Sequence, residues 1–189
     1  MTPDKPELRR QMRQRRRALG VAVRQNAAKA AAQHIHKLPS WSRAQRVALY
    51  LAQDGELDTA VLAEVCRKDG KQLYLPVIDS SASMQFAAWA EDTALEINRY
   101  GIEQPNRSAE RCAPENLDIA IVPLVAWDAS GGRLGMGGGF YDRAFADIDR
   151  PVMLGAAFEI QQLRRIERDV WDIPLDFVLT ESDLYQCHD

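Results

Sequence analysis

"LDIAIVPLVAWDASGGRLGMGGGFYDR", residues 117–143, joins the most apolar run in the chain to its densest glycine cluster. In its first half, apolar residues fill consecutive rather than alternate positions. That is the pattern of a strand buried on both faces, as in a parallel sheet. Pro123 has no N–H to give to a ladder, so it implies a bulge or an early end to that strand. The second half, residues 131–143, holds six glycines, two arginines and an aspartate. A helix is expected to start near Phe140, so the stretch reads as strand, glycine loop, helix.

The same alternation continues on both sides. Residues 5–19 and 21–37 read as helices rich in Arg, Gln, Ala and Leu, with Gly20 between them and Pro39 closing the second. "RVALYLA" (46–52) reads as a buried strand and "TAVLAEVCRK" (59–68) as a helix stopped at Gly70. "QLYLPVI" and "MQFAAWA" read as the next strands, with a Ser-rich turn at 80–83 between them, and 98–116 as polar and irregular. "VMLGAAF" (152–158) and "LDFVLT" (175–180) complete the set. Strands alternating with helices, several buried on both faces, predict an α/β layered domain with a largely parallel sheet. At 189 residues, without repeat or linker, one domain spanning 1–189 is expected.

Bulk properties exclude several classes. The net charge of -3 argues against a nucleic-acid-binding protein, although residues 5–17 carry Lys5 and six arginines against one acid, Glu7. No apolar run approaches a membrane span, and the basic N-terminus lacks an apolar signal core. The three cysteines and three histidines are scattered, which gives neither a disulfide framework nor a zinc site. A cytoplasmic protein, monomeric or weakly dimeric, is expected.

Three clusters can carry chemistry. Gly135, Gly137, Gly138 and Gly139 can adopt positive φ and turn several amides toward one anion, reinforced by the start of the following helix. Arg133 offers a planar fork for phosphate oxygens, and Asp142 can hold Mg²⁺ on such a phosphate. The spacing matches neither Walker A nor GxGxxG. The competing reading is a flexible turn in which Asp142 merely stabilises a helix N-terminus. In the second cluster, Lys5, Arg9, Arg13 and Arg16 recur at spacings of four and three, along one side of a helix. A solvated face is the default for such a run; a row aimed into a phosphate site is the alternative. The third cluster, "QDGELDT" (53–59), follows the first strand at the sheet edge where ligands collect in open α/β sheets. There Glu56 is either a cleft carboxylate or an ordinary loop acid, and Asp58 or Thr59 caps the next helix. Asp172 and Asp176 are further acidic candidates. Tyr50, Trp127, Phe140 and Tyr141 border these loops and are read first as packing residues.

Four stretches in register, "KPELRRQMRQRRRAL", "YLAQDGELDT", "GGRLGMGGGFYDR" and "WDIPLDFVLT", resemble the 5-formyltetrahydrofolate cyclo-ligases, also called methenyltetrahydrofolate synthetases. The third looks like that family's R-L-G-x-G-x-G-[FY]-Y-D signature. The resemblance implies a three-layer α/β/α fold of the NagB/RpiA/CoA-transferase-like type, and the conversion of 5-formyltetrahydrofolate to 5,10-methenyltetrahydrofolate with ATP and Mg²⁺. By the same resemblance, Lys5, Arg9 and Arg133 match contacts to nucleotide phosphates. Leu134, Gly135, Met136, Gly137, Gly138, Gly139, Phe140 and Tyr141 fall in the ATP loop. Leu51, Glu56, Phe140 and Tyr141 fall on the folate side, with Glu56 and Arg133 as catalytic residues. Asp142 matches a metal-site carboxylate and Asp176 a second one. The chain departs from some members at Gly138, where they carry Lys; Arg133 and Lys5 would then supply more of the neutralising charge. Two other classes compete: a nucleic-acid module resting on the basic helix, and a dinucleotide oxidoreductase with Glu159 as its ribose acid. The first leaves the glycine loop unexplained, and the second fails on glycine spacing.

Overall fold

The computed structural model describes residues 4–79 and 83–188; most of the expected serine turn, 80–82, lies outside them. The chain opens with α1 (Lys5–Arg17), whose N-cap Asp4 accepts the Glu7 N–H, and continues into α2 (Val21–His34). A 3-10 turn carries α2 on to Lys37. Next come β1 (Arg46–Ala48), α3 (Ala60–Lys68), β2 (Gln72–Ile78) and β3 (Met84–Ala88). The polar segment contains three short strands, β4 (Leu95–Ile97), β5 (Glu103–Pro105) and β6 (Arg111–Cys112). The opening stretch forms β7 (Ile119–Pro123), β8 (Ala126–Trp127), β9 (Arg133–Leu134) and α4 (Phe140–Ala144). The chain closes with β10 (Val152–Ala156), β11 (Phe177–Leu179) and β12 (Leu184–Gln186).

Eight strands form one sheet in the order β12-β11-β10-β7-β1-β2-β3-β6. Its interior, from β11 to β2, is parallel throughout, and antiparallel strands finish both edges. The buried runs alternate between two cores. Val47, Ile119, Ile121 and Leu154 pack with the alanines of α2 and with α3 on one face. Ala48, Ala120, Val122 and Met153 pack with Trp127 and Phe145 on the other. That second layer is thin, because α4 spans only five residues.

Two expected strands end early for identifiable reasons. Pro123 ends β7, and the chain resumes as the β8–β9 hairpin. The run 46–52 leaves the sheet because Tyr50 folds back onto the loop: its hydroxyl donates to the Leu57 carbonyl at 2.7 Å, and its carbonyl accepts the Thr59 hydroxyl. Asp58, rather than Thr59, accepts an amide of the new helix, from Ala60. Helix α1 does not cover a sheet face. Its buried Met12 packs on Val125, Ala126, Leu134 and Ile166 beside the hairpin, which carries α1 to the sheet's carboxyl edge. No helix among the described residues is long and apolar enough to cross a membrane.

Candidate active site

From β1 the chain proceeds to β2 on one side, and from β7 to β10 on the other. The carboxyl ends of β1 and β7 therefore flank a point where strand order reverses, which leaves a crevice between their loops. A cleft of about 940 Å³ lies there, lined by the 51–56 loop, residues 133–143, the start of α1 and the 169–173 segment.

The glycines of the opening stretch divide into two groups. Gly131 and Gly132 belong to the β8–β9 turn, which Asp128 closes by accepting the Ser130 and Gly132 N–H groups at 2.9 Å each. Gly131 has φ 79°, and a Cβ there would stand 2.5 Å from the Leu175 carbonyl oxygen. This hairpin takes the chain out of the cleft at Leu124 and back at Arg133. Gly135 to Gly139 form the loop proper, with φ 98° at Gly137 and 62° at Gly139. None of the hydrogen bonds among the described residues uses an amide of 135–139 as donor. Those N–H groups are free for an anion, as in backbone nests. The helix behind them is a turn and a half, so its dipole adds little; the expected reinforcement from the helix start falls to side chains instead.

Those side chains are cationic. Arg9 Nε donates to the Gly135 carbonyl at 2.8 Å. Arg133, only 6% exposed, gives Nη2 to Asp142 Oδ1 at 2.5 Å while its Nε, also buried, has no partner. The Asp142 Oδ1 atom also accepts the Ile173 N–H at 3.1 Å, so both contacts fall on one oxygen. Lys5 donates to Asp169 at 2.6 Å and reaches Asp172 at 3.5 Å; these partners raise its pKa, chiefly through the Asp169 hydrogen bond.

The other wall is built differently. Asp54, at φ 52°, receives Arg13, Arg16 and Arg17 together. Arg16 is fully buried and also donates to the carbonyls of Asp54 and Leu124, tying the loop after β1 to the end of β7. Burial opposes the charge on Asp54, but the Arg13 and Arg17 hydrogen bonds win and hold its pKa below the ordinary 3.8. Two residues on, Glu56 is 11% exposed, accepts the Gln53 N–H at 3.0 Å and stands 4.0 Å from Arg16. Burial pushes its pKa above the ordinary 4.5 despite that arginine. Burial and the Glu56 charge both raise the Tyr141 phenol, while Arg133 lies 5.7 Å over its ring.

Of the residues the resemblance assigns to nucleotide, folate or metal, all but one line this cleft, namely Lys5, Arg9, Leu51, Glu56 and Arg133 to Asp142, and Asp172 joins them. The exception is Asp176. It precedes β11 and so sits at the amino edge of the sheet, away from the carboxyl edge where the cleft opens. Both its oxygens are held by Arg150, at 2.6 and 2.9 Å, and one also accepts the Met153 N–H. Asp169 and Asp172, rather than Asp176, share the cleft with Asp142. The solvated-face reading of α1 is likewise overturned, since Lys5, Arg9, Arg13 and Arg16 all point inward. Trp127 is a core residue, 0% exposed, as its packing default expects; Tyr50 is buried, 3% exposed, at the cleft wall, and Phe140 and Tyr141 line the cleft. Sequence reasoning missed Asp54, Tyr100 and Arg143. Tyr100 lies in a segment with no periodicity, and its ring meets Phe140 edge-on at 5.7 Å.

A loop of open amides and arginines facing a buried carboxylate, at the switch point of a parallel sheet, defines an α/β enzyme cleft for an anionic ligand beside a second, partly apolar one. The chain belongs to the 5-formyltetrahydrofolate cyclo-ligase family, whose model matches residues 1–181. It is 38% identical over 180 residues to the Escherichia coli 5-formyltetrahydrofolate cyclo-ligase, covering 93% of this chain and 99% of that one. The Haemophilus influenzae 5-formyltetrahydrofolate cyclo-ligase is 33% identical over 183 residues, covering 94% and 98%. The solved Aquifex aeolicus 5,10-methenyltetrahydrofolate synthetase superposes with a TM-score of 0.86 at 32% identity, covering 98% of this chain and 93% of the other. The chain is thus an enzyme of this family, with the family's fold.

Proposed function

We propose that the protein converts 5-formyltetrahydrofolate to 5,10-methenyltetrahydrofolate, consuming ATP and releasing ADP and phosphate. The observation that carries this is the pairing, across one cleft, of a loop with unspent amides and a buried carboxylate on the opposite wall. The formyl oxygen is a poor leaving group, so N10 cannot displace it directly. Transfer of the γ-phosphoryl group to that oxygen gives an iminium phosphate; N10 then attacks the formyl carbon, loses its proton, and phosphate departs. Phosphoryl transfer asks for positioning and charge neutralisation rather than a nucleophilic side chain. Arg9, Arg133 and the amides of 135–139 supply both, and Lys5 joins them by exchanging Asp169 for a phosphate. Glu56 favours the cationic iminium electrostatically and orients the pterin between Leu51, Tyr100, Phe140 and Tyr141.

Mg²⁺ fits this cleft as a partner of the nucleotide rather than as a resident ion. Among the described residues no group of three His, Cys, Asp or Glu could hold a metal unaided. Mg²⁺ commonly takes one or two carboxylates and completes its shell with water and phosphate. Asp142, with its contacts confined to Oδ1, would hold it, and Asp169 and Asp172 border the same space. Bound there, the ion would neutralise charge on the transferring phosphoryl group. The test is to mix the protein with ATP, Mg²⁺ and 5-formyltetrahydrofolate and follow the methenyl chromophore. Product is expected only with nucleotide and metal together; equal rates in excess EDTA would remove the metal from the reading.

A further inference from the structure

Four cationic side chains reach the glycine loop, and they differ in how much charge they bring. Lys5 is neutralised by Asp169 and Asp172, and Arg133 by Asp142. Among the described residues, Arg9 and Arg143 have no carboxylate partner. Arg9 stands on one flank of the loop, with its Cζ 3.5 Å from where a Cβ of Gly137 would be. Arg143 stands at the far end of the loop, beside Gly138 and Gly139. Its Nη1 donates to the Gly138 carbonyl at 2.9 Å and lies 2.8 Å from where a Cβ of Gly139 would be. The guanidinium rests 5.2 Å over the Phe140 ring, which fixes its plane and leaves its other N–H groups unspent.

The local fold explains the placement. A helical side chain points back toward the helix N-terminus, so the residue one turn after Gly139 covers the loop that precedes α4. Position 138 brings no charge itself: it is glycine, and a Cβ there would stand 2.9 Å from two atoms of the Phe140 ring, so a side chain would require that ring to shift. We infer that Arg143 is a further nucleotide-binding residue, closing the polyphosphate of ATP against the 135–139 amides together with Arg9. This rests on the reading that the glycine loop holds the nucleotide. Arg143 would then add to the charge that Lys5 and Arg133 bring to a loop without a side chain at Gly138.

Arg143 is exposed, so Arg143→Ala and Arg143→Lys are compatible with folding, which circular dichroism verifies. Calorimetry with MgATP and steady-state kinetics in both substrates provide the readout. Arg143→Ala should weaken ATP binding about tenfold and raise the KM for ATP by a similar factor, the scale of one charge-assisted hydrogen-bond donor. Arg143→Lys should recover part of that loss, and the KM for 5-formyltetrahydrofolate should stay unchanged. Unchanged ATP affinity in Arg143→Ala, beside a clear loss in Arg133→Ala measured in parallel, would overturn the assignment of Arg143 alone. A change confined to the folate KM, growing with the number of glutamates on the substrate, would reassign Arg143 to carboxylate recognition. If neither arginine variant alters ATP binding, the nucleotide reading of the loop fails, and the role of Arg143 fails with it.

Discussion

The loops 53–59 and 135–139 face each other across one cleft and are held by opposite means. The first is pinned by side chains: Arg16, fully buried, bridges Asp54 to Leu124, and Asp54 alone takes three arginines. The second is held by little besides Arg9 and Arg143 on its carbonyls, and its amides have no acceptors among the described residues. A site for a ligand that arrives and leaves needs donors not already spent on the protein. A carboxylate that must keep one orientation needs its neighbours fixed. Asp54 and Glu56 show the consequence two residues apart: the arginines lower one carboxyl, while burial raises the other.

The sharpest way to break this contrast is to cut the charge on the glycine side. Arg133→Ala removes a fork whose buried Nε is still unpaired. A loss of about a hundredfold or more in kcat, with weaker ATP binding, is expected from the scale of a lost transition-state charge contact. Near-normal turnover would mean that the open amides suffice by themselves.

The opposite wall should answer first in stability. Asp54→Asn leaves Arg16 buried with carbonyl partners and the more distant Glu56, which should cost about 2 kcal/mol in chemical denaturation. That is below the usual loss for a broken buried pair, because Arg13 and Arg17 are partly exposed. The pH dependence has a definite sign. A carboxyl whose folded pKa lies below its unfolded value stabilises the fold above the unfolded value, and that stability fades as pH falls through the folded one. Wild type should therefore lose more stability than Asp54→Asn on acidification through and below pH 3.8. Parallel curves for the two proteins would show that the arginine cluster holds the loop without Asp54.

The smallest expected effect sharpens the division of labour. Glu56→Gln keeps the shape and the Gln53 contact but removes the charge. Folate kcat/KM should fall about tenfold, since roughly 1.4 kcal/mol of electrostatic stabilisation is at stake, while ATP affinity survives. In wild type the acid limb of that parameter should lie above the ordinary 4.5, because burial keeps Glu56 protonated to higher pH. Its persistence in Glu56→Gln would assign the limb to another group.

The sequence by itself determined the layered α/β plan, because residues buried on both faces of a parallel strand must be apolar in succession. It also marked the glycine loop, because the positive φ at Gly137 and Gly139 favours glycine. The family resemblance added which residues belong to the cleft. Tertiary structure alone decided the rest. The inward aim of the basic row on α1 depends on Met12 docking beside the hairpin, which helical spacing cannot reveal. The separation of Asp172 from Asp176 depends on which sheet edge each occupies, and a strand pattern does not say where its flanking residues lead. The reach of Arg143 back to Gly138 depends on the short α4 that carries it. Local periodicity records what is buried, whereas pairing between distant charges is set only when the chain is packed.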